Sequence, residues 1–187
     1  MAGRRTRSTR SAAANRWSRW STLHADLRDE RPGDADAIGA LVTAAFAIAP
    51  YADVNEAAIV ARLCDAGALT LSIVAMQRDA IVGHVAVSPV TVGEETTGWY
   101  GLAPLSVAPE QQRAGIGAAL VRAVLERLDE IGARGSVLIG DPAYYARFGF
   151  AADPALTWRD APAGIVQGIA LRGSPPRGEI AYHSSFG

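Results

Sequence analysis

One short run constrains this chain more than any other feature: Leu105-Ser106-Val107-Ala108-Pro109-Glu110-Gln111-Gln112-Arg113-Ala114-Gly115-Ile116-Gly117. An apolar strand stops, a loop turns, and a long helix opens on two glycines, so strand and helix must pack as neighbouring layers with the turn left approachable. The first helical N–H groups have no intrahelical acceptor and lie at the positive end of the dipole. A helix start ordinarily attracts acids. Here the next acid after Glu110 is Glu126, and Arg113 stands at the mouth. The opening suits an anion, phosphate above all; the same glycines also serve a plain helix start packed on a sheet.

A dinucleotide fingerprint is disfavoured, because Leu120 occupies the place of the third glycine and the run comes late, after an expected antiparallel hairpin. Pro104 cannot donate to a ladder, so its strand is either an edge or a central strand with locally broken pairing. In the second case backbone groups around Leu105 and Val107 are left to bond an amide-bearing ligand arm. A further segment, Asp141-Pro142-Ala143-Tyr144-Tyr145-Ala146-Arg147-Phe148-Gly149-Phe150, specifies a helix of barely two turns. Asp141 is its N-cap, Pro142 its first helical residue and Gly149 its left-handed end. Tyr144 and Phe148 share a face at i and i+4, with Tyr145 rotated by about 100°. Taken alone both tyrosines suit a buried aromatic pair; Tyr144, which shares its face with Phe148, is the one expected to pack in the core and Tyr145 the one free to point elsewhere.

Around these segments the pattern alternates strand and helix. Strands are expected at 26–30, 70–76, 80–92, 99–107, 136–140, 155–159 and 164–171, with Gln77-Arg78-Asp79 closing a hairpin. Asp34 is expected to cap a helix whose inner face carries Ile38, Leu41, Val42 and Ala45. Asn55 should cap another over 55–66, with Ile59, Val60 and Leu63 inward and Cys64 as a small core residue. The helix over 115–131 spaces Ile116, Leu120, Val124 and Leu128 by four.

A length of 187 residues suits one core with an appended arm. Residues 1–24 read as a disordered basic arm, with six arginines and no acid in the first twenty, and 25–187 as a single domain. An acid-poor Arg/Ser start also resembles an organellar transit segment. The rest sets twelve arginines against nineteen acids, which disfavours a nucleic-acid partner beyond the arm itself. All 18 basic residues are arginine, which removes Schiff-base, P-loop-lysine and PLP chemistry. One cysteine and three scattered histidines exclude structural zinc and fit a reducing compartment, the cytoplasm. No run reaches the roughly 18 apolar residues that span a bilayer, so no membrane partner is expected.

Gln112-Arg113-Ala114-Gly115-Ile116-Gly117 matches a pyrophosphate signature, Q/R-x-x-G-x-G/A, behind a strand ending Leu-Ser-Val-x-Pro. Tyr145, Arg147, Gly149 and Phe150 match a second pattern, Tyr-x-Lys/Arg-x-Gly-Phe. With the ending Tyr182-His183-Ser184-Ser185-Phe186, the chain resembles the GNAT superfamily of acyl-CoA-dependent N-acetyltransferases, in a bacterial branch with undefined acceptors. The resemblance implies an α/β (α+β) fold: a mixed, strongly twisted central sheet of six to seven strands, flanked by about four helices and splayed at 99–107. It implies acetyl-CoA as co-substrate in the V-shaped gap, with no metal, held by Leu105, Val107, Gln112, Arg113, Gly115, Gly117 and Ala118. It implies direct attack of a neutral primary amine on the thioester in a ternary complex, with no covalent intermediate. Tyr145 would be the general acid for the departing thiolate, a phenol of pKa about 10 being protonated at neutral pH. For the base, His84 in strand 80–92 is a candidate as base or relay, alongside Glu94 and Glu95 in the following turn. The acceptor, a small-molecule, peptide or protein amine, would meet Asp53, Glu56 and Asp160. A homodimer is left open, as is a non-catalytic acyl-CoA-binding module; the presence of Tyr145 favours catalysis.

Overall fold

The hairpin forms where its turn chemistry directs. Strand β2 (Leu71–Gln77) runs antiparallel to β3 (Ala80–Val92), and Arg78 takes a positive φ of 54° in the two-residue connection. The computed structural model describes residues 25–47, 56–162 and 164–187. The expected arm at 1–24, the cap Asn55 and the acceptor candidate Asp53 lie outside them. Before the hairpin come β1 (Asp26–Asp29), α1 (Ala35–Phe46) and α2 (Glu56–Asp65). After it come β4 (Glu95–Val107), α3 (Ile116–Glu130), β5 (Gly135–Ile139), α4 (Pro142–Tyr145), β6 (Ala151–Ala152), β7 (Leu156–Thr157), β8 (Val166–Ala170) and β9 (Gly178–Ala181). Among the described residues nine strands stand where six to seven were expected. The strand expected at 155–159 is only the two-residue β7; the additions are β6, also of two residues, and β9, which pairs with the far end of β3 at Thr91 and Val92 and with β7.

The order β1-β2-β3-β4-β5-β8-β6 is antiparallel except between β4 and β5. Alternation along the strands sends side chains to two faces. On one, Ile73, Val85, Val87, Leu102 and Leu138 meet the apolar stripe of α3, Ile116, Leu120, Val124 and Leu128. On the other, Val74 packs with Ile38, Val42 and Val60 from α1 and α2, and Val90, Trp99 and Val137 pack with Leu156, Val166 and Ile180. The inward residues expected for α1 and α2 are the buried ones.

Two local expectations are corrected. Asp34 makes no side-chain cap; its carboxylate is taken by Arg28 of β1 at 2.6 Å and by the Arg31 N–H at 2.7 Å, and the guanidinium holds its pKa below the usual range. Cys64 is exposed, because Leu63 points into the core and its neighbour on the helix, about 100° away, points out. Burial of its surroundings still pushes the thiol pKa up, with Glu30 and Asp65 adding to the effect.

The feature that positions the site is β4. It is a central strand, and its ladder is broken at Pro104: Val85 faces Leu105 while Val87 faces Leu102, so β4 carries one extra residue opposite Ala86. On its other edge β4 pairs with β5 only at Trp99, Tyr100 and Gly101. Beyond Gly101 the two parallel strands part.

Candidate active site

The hydrogen-bond phase of β4 decides which backbone groups face the gap. The Ala108 N–H donates to Val82 on β3, so in an antiparallel ladder Ser106 faces β3 and Leu105 and Val107 turn their N–H and C=O groups the other way. The Val107 carbonyl accepts from Gln112 Nε2 at 3.3 Å, which ties the loop to the strand end. A single 3-10 turn, Pro109–Gln111, then leads to α3.

Gly115 is the N-cap of α3 in the left-handed region, φ 85°, and supplies no capping side chain; Arg113 also has positive φ, 64°. The first helical bond runs from the Ala119 N–H to the Gly115 carbonyl, so the N–H groups of Ile116, Gly117 and Ala118 have no intrahelical acceptor. The first turn carries no acid. The side chains of Leu105 and Val107 lie beneath this turn, within 3.9 Å of where a β-carbon on Gly117 would stand. Expected cofactor residues from two consecutive elements are thus brought to one mouth.

The two tyrosines exchange their expected places. Asp141 caps α4 through the Ala143 N–H at 2.9 Å, and Gly149 ends the turn at φ 93°, as the residue types require. Tyr145 packs against the main core, its ring over Gly140 and edge-on to Phe150 at 5.9 Å. Tyr144 lies under the Arg147 guanidinium, 4.8 Å from the ring centre, and its hydroxyl reaches α3: a β-carbon on Gly117 would fall 2.8 Å from it. Helical spacing fixed the 100° between the rings but not which side the sheet lies on. Burial raises the pKa of both phenols, more for Tyr145, with Tyr144 adding to the shift there and Arg147 and Arg122 opposing it at Tyr144.

Of the base candidates, Glu95 is engaged elsewhere. It opens β4 instead of lying in a turn, accepts from Trp99 Nε1 and pairs with Arg134 at 2.8 Å. Glu94 is exposed in the β3–β4 turn, and Asp160 is exposed in its loop. The turn at Glu94 is seven positions from Gly101, roughly 20 Å of extended strand from the parting of β4 and β5. His84 is fully buried on β3, with Nε2 2.9 Å from Ser72 Oγ, whose own hydrogen goes to Glu30. That order makes Nε2 the donor and leaves the lone pair on Nδ1. Burial lowers the His84 pKa to about 4, so the ring is neutral at pH 7.

This burial has a measurable cost on acidification. A folded-state pKa near 4 against 6.5 unfolded means that stability is complete above pH 6.5 and drains as pH falls through 6.5 toward 4, by at most about 3 kcal/mol. Thermal unfolding of a His84→Gln variant should lose less of its midpoint over that window than the parent does. Identical pH slopes in the two proteins would rule out His84 as the source.

Among the described residues four buried side-chain polar atoms have no hydrogen-bond partner: His84 Nδ1, Ser88 Oγ, Ser106 Oγ and Tyr182 Oη. They share one face. His84 and Ser88 alternate on β3, Ser106 stands opposite His84, and the Tyr182 ring lies over Gly101, the residue opposite Ser88. Sequence reasoning passed over Tyr182, although the aromatic-and-polar ending Tyr182-His183-Ser184-Ser185-Phe186 was a signal that the tail docks. It does so through β9 and through Arg62 of α2, which donates to the Ser185 carbonyl at 2.6 Å. Among the described residues no cluster of His, Cys, Asp or Glu could hold a metal, and no helix is long and apolar enough to cross a membrane.

Comparison with known proteins gives the same picture as the geometry. Residues 26–152 match the family described as "Acetyltransferase (GNAT) domain". The uncharacterized N-acetyltransferase YhbS of Escherichia coli K12 is 41% identical over 125 residues, 66% of this chain and 72% of that protein. A GNAT family acetyltransferase from Brucella melitensis, solved in complex with acetyl-CoA, is 43% identical with a TM-score of 0.78, over 89% of this chain and 100% of that one. The structure of Escherichia coli YhbS in complex with CoA is 35% identical with a TM-score of 0.79, over 89% and 93%. A strand that parts from its parallel neighbour, a helix that opens without acids and a family match over more than half its length agree: the chain belongs to the GNAT acetyltransferase family.

Proposed function

We propose that the protein transfers the acetyl group of acetyl-CoA to a primary amine by direct attack within a ternary complex. The observation that carries this reading is the geometry of the β4–β5 gap, with the acid-free start of α3 at its wide end. Two similar structures, which hold acetyl-CoA and CoA, support it. The N–H groups of Ile116, Gly117 and Ala118 take the pyrophosphate, with Gln112, Arg113 and Gly115 shaping the turn. Leu105 and Val107 present backbone groups to the pantetheine amides. Residues 25–187 form the catalytic unit, and the co-substrate places it in the cytoplasm.

In the chemical step the amine nitrogen bonds to the thioester carbon, the C–S bond breaks, Tyr145 Oη gives its proton to the departing sulfur, and the phenolate takes up the proton that the new amide nitrogen releases. The raised pKa of Tyr145 keeps the phenol protonated at neutral pH. The acceptor must first lose an ammonium proton. A base of pKa about 4 cannot retain it, so His84 serves as a relay: Nδ1 receives a proton while Nε2 passes its own through Ser72 Oγ to Glu30. The unpartnered hydroxyls of Ser88 and Ser106 lie on the same face of the sheet as His84.

The test is thiol release from acetyl-CoA against a panel of small amines, amino acids and protein N-termini. At least one amine class should accelerate release well above hydrolysis, with acetylated amine as the second product. Tight CoA binding with no acceleration by any class would leave a binding module in place of the enzyme.

A further inference from the structure

Tyr182 has no role in the chemistry described so far, and its surroundings are unusual for a tail residue. The ring is clamped between Trp158 at 5.8 Å and Phe186 at 4.6 Å, and it lies over Gly101 so closely that no β-carbon would fit there. The segment is held from two sides, by β9 on β3 and by Arg62 on the Ser185 carbonyl. All this rigid support delivers a hydroxyl that is out of solvent and bonds to nothing. A buried donor without an acceptor is costly unless something supplies one.

Gly101 is the last β4 residue paired to β5, the point from which the gap opens. A pantetheine arm entering from the α3 end passes Val107 and Leu105 first. Tyr145 stands over Gly140, three residues beyond the Gly101 partner Val137, roughly 10 Å up the strand. Sulfur therefore arrives at the level of Tyr145, and the acyl group, one bond further in, lies toward Tyr182. Burial raises the Tyr182 pKa, with Tyr145 and then Glu56 adding to the rise, so the hydroxyl keeps its hydrogen.

We infer that Tyr182 Oη donates a hydrogen bond to the carbonyl oxygen of the acyl group, as the unpartnered hydroxyl at the closed end of the β4–β5 gap. Tyr182 would then be the residue by which the site distinguishes acyl-CoA from free CoA, and its bond would strengthen as that oxygen gains negative charge during attack. The inference rests on the acetyltransferase reading above, and its test separates the two.

Calorimetric titration of the full chain with acetyl-CoA and, separately, with CoA is compared between the parent and Tyr182→Phe. The phenylalanine keeps the ring contacts and removes a hydroxyl that nothing in the fold holds, so the unfolding midpoint should not fall. Acetyl-CoA affinity should drop about fivefold, the weight of one hydrogen bond, while CoA affinity stays unchanged. The carbonyl stretch of bound 13C-acetyl-CoA should move to higher frequency in the variant. Equal losses for both ligands, or no loss for either, overturn the inference while leaving the acetyltransferase reading intact; a parent protein that binds neither ligand overturns both. If the variant does not fold, an unshifted carbonyl stretch on binding to the parent protein overturns the inference by itself.

Discussion

Gly117→Glu is expected to abolish useful binding of acetyl-CoA while the protein stays folded. The new carboxylate would project from the first turn of α3, where three N–H groups await an anion. Placed about 4 Å from a phosphate at the intermediate dielectric of a protein surface, it repels by roughly 4 kcal/mol, close to 1000-fold in affinity. Gly117→Ala separates charge from bulk. Its methyl crowds only the Tyr144 hydroxyl, at 2.8 Å, with Val107 and Leu105 at ordinary contact distance, and a swing of that ring by a few tenths of an ångström relieves the contact. Alanine should therefore cost only a few-fold in affinity, partly offset by better helix propensity. Calorimetry with CoA reads both, and a folded Gly117→Glu protein with parental affinity would displace the pyrophosphate from this turn.

Tyr145→Phe is expected to lower turnover by about 10- to 1000-fold with little change in acetyl-CoA affinity, the loss typical of a missing general acid. The ring stays over Gly140 and beside Phe150, so stability should hold. Tyr144→Phe should act on the other parameter. Its hydroxyl sits at Gly117, and losing it should change CoA affinity a few-fold with kcat unchanged. The pH profile gives a second check. Burial lifts the Tyr145 pKa above its ordinary value of 10.0, so the acid stays protonated and no fall in kcat attributable to it should begin below about pH 9. Steady-state kinetics of both variants decides: full turnover in Tyr145→Phe beside a dead Tyr144→Phe would transfer the acid role to Tyr144.

The division of labour between the adjacent tyrosines is also where local reasoning reached its limit. An i, i+4 pairing of Tyr144 with Phe148 is real, their ring centres being 5.6 Å apart. Yet the pair faces α3, and it is Tyr145 that meets the core, because the turn is short enough for both faces to find apolar partners. Asp34 makes no side-chain cap and Glu95 is held in an ion pair for a shared reason. Each carboxylate took a cation from a distant part of the chain, Arg28 six residues back and Arg134 across the sheet, and charge-assisted bonds outweigh a cap or a solvated turn. Strand β9 escaped notice because four residues behind Gly173-Ser174-Pro175-Pro176 carry too little alternation to announce a strand; pairing with β3 makes them one.

What the sequence determined by itself is the local machinery, because it depends on backbone preference and periodicity within one or two turns. The glycine-opened α3 without acids, the capped turn at 141–149 and the inner faces of α1, α2 and α3 all follow from residue type and spacing. Only the tertiary structure decided what those parts face. Whether Pro104 breaks an edge or a central strand, which tyrosine overhangs Gly117, and that a tail residue reaches the closed end of the gap depend on contacts between segments up to a hundred residues apart. Such contacts are fixed by the joint burial of many side chains and the pairing of backbone groups across the sheet, and no local preference encodes them.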